Sequence, residues 1–282
     1  MNNISNYGMT HAGKFHADDV FSSALLKIIN PNIEIKRGFH VPEDFEGIIF
    51  DIGYGKYDHH QESAEVRENG VPYASFGLLW REFGESLVGA EEAARFDESF
   101  IQPLDEDDNT GCGNQLARVI GKWNPSWDST ESADECFQQV SAMAVEILKK
   151  EFAAISSIQR AQGLVQQALE NIKDKIVVLP KFAPWKNVLI PSEAEFVAYP
   201  SQRGGFSAQV IPLDFDTNVP KCNFPEKWAG KSPDELRVIS GVATLSFCHN
   251  NRFLISADTL EDVLKACQIA RKSEKGESRY EK

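Results

Sequence analysis

Four of the six histidines in this 282-residue chain stand beside carboxylates in two short stretches near its start. The first stretch is Thr10-His11-Ala12-Gly13-Lys14-Phe15-His16-Ala17-Asp18-Asp19, and the second is Asp51 followed by Asp58-His59-His60. An acidic run, Leu104-Asp105-Glu106-Asp107-Asp108-Asn109, lies farther on. Imidazole nitrogens and carboxylate oxygens are the usual ligands of Mn²⁺, Zn²⁺, Fe²⁺ and Co²⁺. The same groups also move protons near neutral pH. Taken singly, each stretch has an ordinary reading: a loop histidine bonded to an aspartate, a polar turn, a solvated acidic loop. Their concentration in the first part of the chain is what points to a shared metal site.

The elements that must position these residues follow from hydrophobic spacing. Val20, Phe21, Ala24, Leu25, Ile28 and Ile29 lie on one stripe, which predicts a helix over 18–30 that stops at Asn30-Pro31. Met1–Thr10 reads as a polar tail, and His11–Asp19 as a Gly-containing loop feeding that helix. Ile33–Phe39 alternates weakly, and Gly47–Phe50 reads as a short buried strand with Asp51 at its carboxyl end, the edge where open α/β sheets bind ligands. Helices are expected over 76–83 and 91–101, with the acidic run as a loop behind them. A loop over 121–130 precedes 132–172, which is almost free of Gly and Pro and predicts one long helix or two joined ones. From Asp174 the texture changes to short β-type runs at 175–179, 196–199, 206–211 and 244–248, then a final helix over 259–270 and a frayed charged tail after Lys272.

The expected class is therefore α/β: a mostly parallel sheet flanked by helices, followed by a smaller α+β domain. The expected divisions are a metal-binding domain over 1–130, a helical connector over 131–173 and a substrate-binding domain over 174–282.

Bulk properties narrow the functional classes. No apolar run approaches the roughly 18 residues that suggest a membrane span, and Met1–Thr10 lacks the basic and apolar segments of a signal peptide, so a cytoplasmic protein is expected. Five widely spaced cysteines form no C-x-x-C pair, which argues against a disulfide framework or a thiolate zinc site. The net charge of −13 is unevenly spread. Residues 1–170 hold 13 basic against 28 acidic side chains, and residues 171–282 hold 16 against 14. Divalent cations would invert the field in the acidic part and leave direct phosphate contacts to the second.

In order and spacing, these stretches resemble the DHH-motif phosphoesterases, and within them the exonuclease-like family named after the melanocyte proliferating gene product. Thr10-His11, Phe15-His16, Asp18, Tyr57-Asp58-His59-His60-Gln61, Ala74-Ser75-Phe76-Gly77 and Asp105-x-x-Asp108-Asn109 resemble its N-terminal motifs. Pro184-Trp185-Lys186, Tyr199-Pro200, Trp228-Ala229-Gly230, Leu236, Gly241 and Phe247-Cys248-His249 resemble its C-terminal ones. There are departures: His16-Ala17-Asp18 stands where most DHH enzymes have D-x-D, and Asp18-Asp19 where the closer family has Asp-Glu.

The resemblance implies a site for two divalent ions. His11, His16 and Asp18 would stand on one side, Asp51 between the ions, and His59 with Asp105 or Asp108 on the other, Asp105 being favoured. Imidazole in place of an oxygen ligand favours Mn²⁺, with Mg²⁺, Co²⁺ and Zn²⁺ as alternatives. His60 is the candidate for contacting the scissile phosphate or protonating the leaving group, and Asp58 for orienting an imidazole. Arg203, Gly204, Gly205 and His249 are the candidate substrate-binding residues of the second domain. The expected substrate is a phosphodiester, single-stranded RNA or a short oligonucleotide. The alternatives are a small-molecule phosphatase or pyrophosphatase, and a non-catalytic metal- or nucleotide-binding protein.

Overall fold

A computed structural model describes residues 4–62 and 64–277. The chain forms two compact units, Met1–Ser156 and Ser157–Lys282. The first is built on three parallel strands, β1 (Tyr7–His11), β2 (Glu34–Gly38) and β3 (Ile48–Ile49), in the order β2-β1-β3. Strand β1 overturns the reading of the opening residues as a tail and of His11 as a loop residue. Its sequence looks polar and short, yet pairing on both sides satisfies its backbone, and Gly8, Met9 and Thr10 are buried. Tyr7 aligns with Glu34, and His11 with Gly38, while Met9 aligns with Ile49. Because the strands are parallel, His11 and the residues after Ile49 emerge at the same carboxyl edge.

Helix α1 (Ala17–Ile29) crosses from β1 to β2 and buries Val20, Phe21, Ala24 and Leu25, the stripe expected from spacing. Helix α2 (Ser75–Val88) packs against it, with Phe21 stacked on Phe76 at 5.6 Å between ring centroids. Burying each such side chain contributes about 1.5–3 kcal/mol, and this contact aligns the start of α2 with the start of α1. The helical stretch expected over 91–101 continues farther. Helix α3 (Ala90–Phe96) passes through a five-residue π turn into α4 (Gln102–Thr110), so the acidic run is helical and not a loop. Pro103 falls in the first turn of α4, where its missing N–H costs nothing. Helix α5 (Gln115–Gly121), capped by the Asn114 side chain, leads into the loop expected over 121–130.

Helix α6 (Ala133–Leu169) is one long helix. Its Phe137, Val140, Ala144 and Leu148 belong to the core of the first unit, and Ala161 and Val165 to a core of the second. The two units divide within this helix, in place of the separate connector expected over 131–173.

The second unit holds a mixed five-stranded sheet in the order β4-β5-β6-β8-β7, formed by β4 (Ile176–Val178), β5 (Phe196–Pro200), β6 (Phe206–Val210), β7 (Leu245–Cys248) and β8 (Leu254–Ala257). Only β4 and β5 run parallel. Along β5, Phe196 and Ala198 face one core and Val197 and Tyr199 the other, so the sheet is covered on both faces. The short helix α7 (Lys186–Leu189), helix α8 (Pro233–Ser240) and the final helix α9 (Leu260–Glu277) complete the unit. Strand β8 and helix α8 have no counterpart among the expected elements, and α9 extends past Lys272 into the stretch expected to fray; residues 278–282 lie outside the described ones. No described helix is long and apolar enough to cross a membrane. All five cysteines are free thiols, four of them buried.

Candidate metal centre

The carboxyl edge of the first sheet collects carboxylates and imidazoles from five segments. Asp51 follows β3 in a left-handed conformation, with φ of 56°, its N–H donating to the Tyr57 carbonyl at 2.9 Å. Few non-glycine residues adopt this region, and such strain concentrates at sites of function. The turn aims the Asp51 carboxylate at three imidazoles: one oxygen lies 3.2 Å from His11 Nε2, and the other 3.6 Å from both His59 Nδ1 and His60 Nδ1.

Asp18, in the first turn of α1, reaches the N-terminus of α2, where its two oxygens accept the backbone N–H groups of Ser75 at 3.0 Å and Phe76 at 2.6 Å. The positive end of that helix stabilises the carboxylate. Against this, burial and the charges of Asp51, Asp108 and Asp105 push the Asp18 pKa well above the ordinary range. Burial likewise raises Asp19 to about 7, with His11 opposing. Burial works against a charged His11, but its hydrogen bond to Asp51 and the charges of Asp19 and Asp51 outweigh this and lift it to about 9. His59 is raised too, burial being overcome by Asp108 and Asp51. The cluster therefore draws protons to itself, as crowded buried carboxylates do, and a cation would take their place.

Three groups of residues each bring their ligand atoms within 4.8 Å of one another: His11 with Asp19 and Asp51; Asp18 with His59 and Asp108; and Asp51 with Asp58, His59 and His60. Asp51 is shared by two of these groups, and so is His59. Three buried atoms, Asp19 Oδ2, Asp51 Oδ1 and His59 Nδ1, have no hydrogen-bond partner. A buried polar atom left unsatisfied costs about 1–3 kcal/mol. Three of them converging from separate segments fit a site made for divalent cations, and the mixed nitrogen and oxygen donors suit a transition metal.

Of the residues singled out in the sequence, His11, Asp18, Asp51, Asp58, His59 and His60 all come together. His16 caps the start of α1 with its side chain half exposed at the rim, Nδ1 3.9 Å from Asp108 Oδ1, and stands in none of the three tight groups. Between the two aspartates left open, the arrangement differs from the sequence preference for Asp105. It is Asp108 whose carboxylate lies 3.1 Å from His59 Nε2. Asp105, one helical turn earlier and fully buried, accepts from Arg67 Nη2 at 2.7 Å and from the Gly77 N–H at 3.2 Å. Gly77 is required here, since a Cβ would collide with the Asp105 carboxylate and Arg67. Asp19 was not among the sequence candidates, although its place beside Asp18 in the first turn of α1 was a usable signal. Arg67, which holds Asp105 and Asp97 together, left no trace in the spacing.

Asp58 accepts from the Tyr54 N–H at 2.7 Å and, through its other oxygen, pairs with His60 Nδ1 at 2.8 Å. Burial would raise its pKa, but the His60 hydrogen bond and these backbone donors prevail and hold it below the usual carboxylate value. Asp58 thus orients His60, whose other nitrogen is free to face a ligand.

In the second unit Arg203, Gly204, Gly205 and His249 line one groove of about 960 Å³ together with Tyr199 and Phe247. Gly205 is fixed sterically, since a Cβ would strike the Ala257 carbonyl. His249 Nδ1 accepts the Asn251 N–H at 3.0 Å, which leaves the proton of the neutral ring on Nε2.

Comparison with known proteins follows the same lines. A family model for MYG1 exonucleases, described as Uncharacterised protein family (UPF0160), matches residues 8–271. A MYG1 protein of Dictyostelium discoideum is 24% identical over 90% of this chain and 93% of its own length. Proteins named MYG1 exonuclease from Rattus norvegicus and Homo sapiens are 27% and 26% identical over 90% of this chain, covering 82% and 83% of theirs. No solved structure matches the chain. With the match running through both units, the chain belongs to the MYG1 exonuclease family.

Proposed function

We propose that the protein is a metal-dependent phosphoesterase of the DHH type, an exonuclease-like enzyme acting on short single-stranded RNA or oligonucleotides. The observation that carries this reading is the convergence of Asp19 Oδ2, Asp51 Oδ1 and His59 Nδ1, buried and without a hydrogen-bond partner, on one sheet edge. The name shared by the rat and human relatives supports the same class.

Two divalent ions fit this donor set, Mn²⁺ before Mg²⁺, Co²⁺ or Zn²⁺. His11, Asp19 and Asp51 would hold one, and Asp18, His59 and Asp108, with Asp51 shared, the other; His16 stands at the rim within reach. Bound there, such ions would supply Lewis-acid chemistry, polarising phosphate oxygens and lowering the pKa of water for an in-line displacement at phosphorus. The chain's own residues do the rest. The backbone N–H groups of Ser75 and Phe76 fix the Asp18 carboxylate, and Arg67 with Asp105 locks α4 so that Asp108 faces His59. His60, held by Asp58, offers its free nitrogen to the departing oxygen as proton donor. In the second unit the Arg203 guanidinium and the His249 Nε2–H are the groups that contact substrate phosphate.

Treatment with EDTA followed by Mn²⁺ should abolish and then restore hydrolysis of pentaadenylate and of bis(p-nitrophenyl) phosphate. Hydrolysis indifferent to chelation would contradict the proposal. Turnover of inorganic pyrophosphate in preference to both would replace the exonuclease reading with the diphosphatase one.

A further inference from the structure

Beside the metal centre, on the side of His16, His60 and Asp108, lies a pocket of about 460 Å³ whose other wall is formed by Lys14, Arg118 and Lys122. This is inside the roughly 300–1,000 Å³ typical of small-molecule sites. Arg118 differs from the other arginines of its unit, while lysines without an ion pair, such as Lys27, Lys36 and Lys150, also occur elsewhere in it. Arg37, Arg67, Arg81 and Arg95 are all held in ion pairs with carboxylates. Among the described residues, Lys14, Arg118 and Lys122 make no side-chain hydrogen bond or ion pair, although the unit has an excess of acid to pair them with. Their positions are also fixed independently of charge. Lys14 stands in the turn between β1 and α1, Arg118 on α5, and Lys122 at the end of α5.

The loop beyond Lys122 is tied to the metal loop. The Asn124 side chain accepts the Phe15 N–H at 2.9 Å and donates to the Phe15 carbonyl at 2.8 Å, closing both backbone groups of the residue between Lys14 and His16. The same loop carries Trp123 and Trp127, 38% and 96% exposed. Free cations beside an anion-processing centre fit a phosphate, and solvent-facing indoles on the adjoining loop fit a nucleobase.

We infer that Lys14, Arg118 and Lys122 form a subsite for the phosphate next to the one hydrolysed, so that the substrate is a nucleotide strand with at least two phosphates, held by the first unit itself. This rests on the phosphoesterase reading for the identity of the neighbouring phosphate. A small diphosphate would need the cations but neither the room of the pocket nor the indoles of the loop that follows Lys122.

The test separates binding from turnover. Fluorescein-labelled pentaadenylate is titrated with the full chain in EDTA, where no metal chemistry contributes, over a range of KCl concentrations. The double variant Arg118→Glu/Lys122→Glu is expected to bind at least tenfold more weakly. Its dependence of log Kd on log salt should be shallower by about 0.7 for every phosphate that the variant no longer neutralises. Both side chains are exposed, and circular dichroism checks that the fold is kept. Lys149→Glu/Lys150→Glu, an equal change of charge on exposed lysines of α6 that do not line the pocket, should retain most of the affinity. Equal weakening by both pairs, or none by the first, would overturn the subsite. So would inorganic pyrophosphate displacing the strand as well as unlabelled pentaadenylate does. With Mn²⁺ restored, the ratio of kcat/KM for pentaadenylate to that for bis(p-nitrophenyl) phosphate should fall about tenfold in the first variant. An absence of hydrolysis by the wild type would count against the phosphoesterase reading alone, since the binding arm stands without it.

Discussion

In the first unit Asp18, Asp19, Asp51, Asp58 and Asp105 are all buried, and His59 with them; among the described residues, the core of the second takes in one polar side chain, Ser207, bonded to Ser256 at 2.8 Å. Both units have comparable apolar cores around parallel or mixed sheets. The difference lies in what each sheet edge is asked to hold. The first unit tolerates buried carboxylate oxygens of Asp19 and Asp51 that have no hydrogen-bond partner, a feature that lowers stability and persists where a ligand or reaction compensates. In the second unit Arg203 and His249 line an open groove. On the proposed reading, the first unit holds the ions and the second contacts the substrate.

The sharpest way to break this comparison is at Asp51. Asp51→Asn should keep the fold and lower kcat by about 10³-fold or more, some 4 kcal/mol of transition-state stabilisation. A variant with wild-type turnover would show that the shared carboxylate is not needed. Next comes Arg67, whose removal strands the fully buried Asp105: Arg67→Met should destabilise the first unit by about 3–5 kcal/mol. Urea unfolding followed by amide exchange should find the destabilisation in the first unit and leave the β4–β8 sheet unaltered. Gly77→Ala forces Asp105 and Arg67 aside and should cost about 1–3 kcal/mol by the same measurement, with a reduced affinity for Mn²⁺ as α4 shifts Asp108. The smallest effect is expected from the second unit. Arg203→Ala should raise KM for an oligonucleotide about tenfold, the 1.4 kcal/mol of a charge-assisted hydrogen bond, while the Mn²⁺ requirement stays as in the wild type. A changed metal requirement in Arg203→Ala would erase the proposed division of labour.

Much of this was legible in sequence because periodicity reports burial. Val20, Phe21, Ala24 and Leu25 fall on one stripe, and Gly47–Phe50 ends at a carboxylate where a strand edge is expected. What periodicity does not show is set by tertiary pairing. Tyr7–His11 is polar in composition and becomes a central strand only because β2 and β3 flank it. The acidic run around Asp105 reads as solvated, yet it is a helix whose i and i+3 aspartates point to different partners, Arg67 for Asp105 and His59 for Asp108. Spacing shows that two carboxylates are present; which of them meets an imidazole depends on where an arginine 38 residues upstream is placed.

The central claim is that separate segments of the first unit share a pair of divalent ions through Asp51. Metal content per chain after equilibration with Mn²⁺ and desalting tests it most directly. About two ions should be retained by the wild type, as a two-metal phosphoesterase requires, and at most about one by Asp51→Asn. No retained metal in the wild type, or the same content in both proteins, would contradict the account.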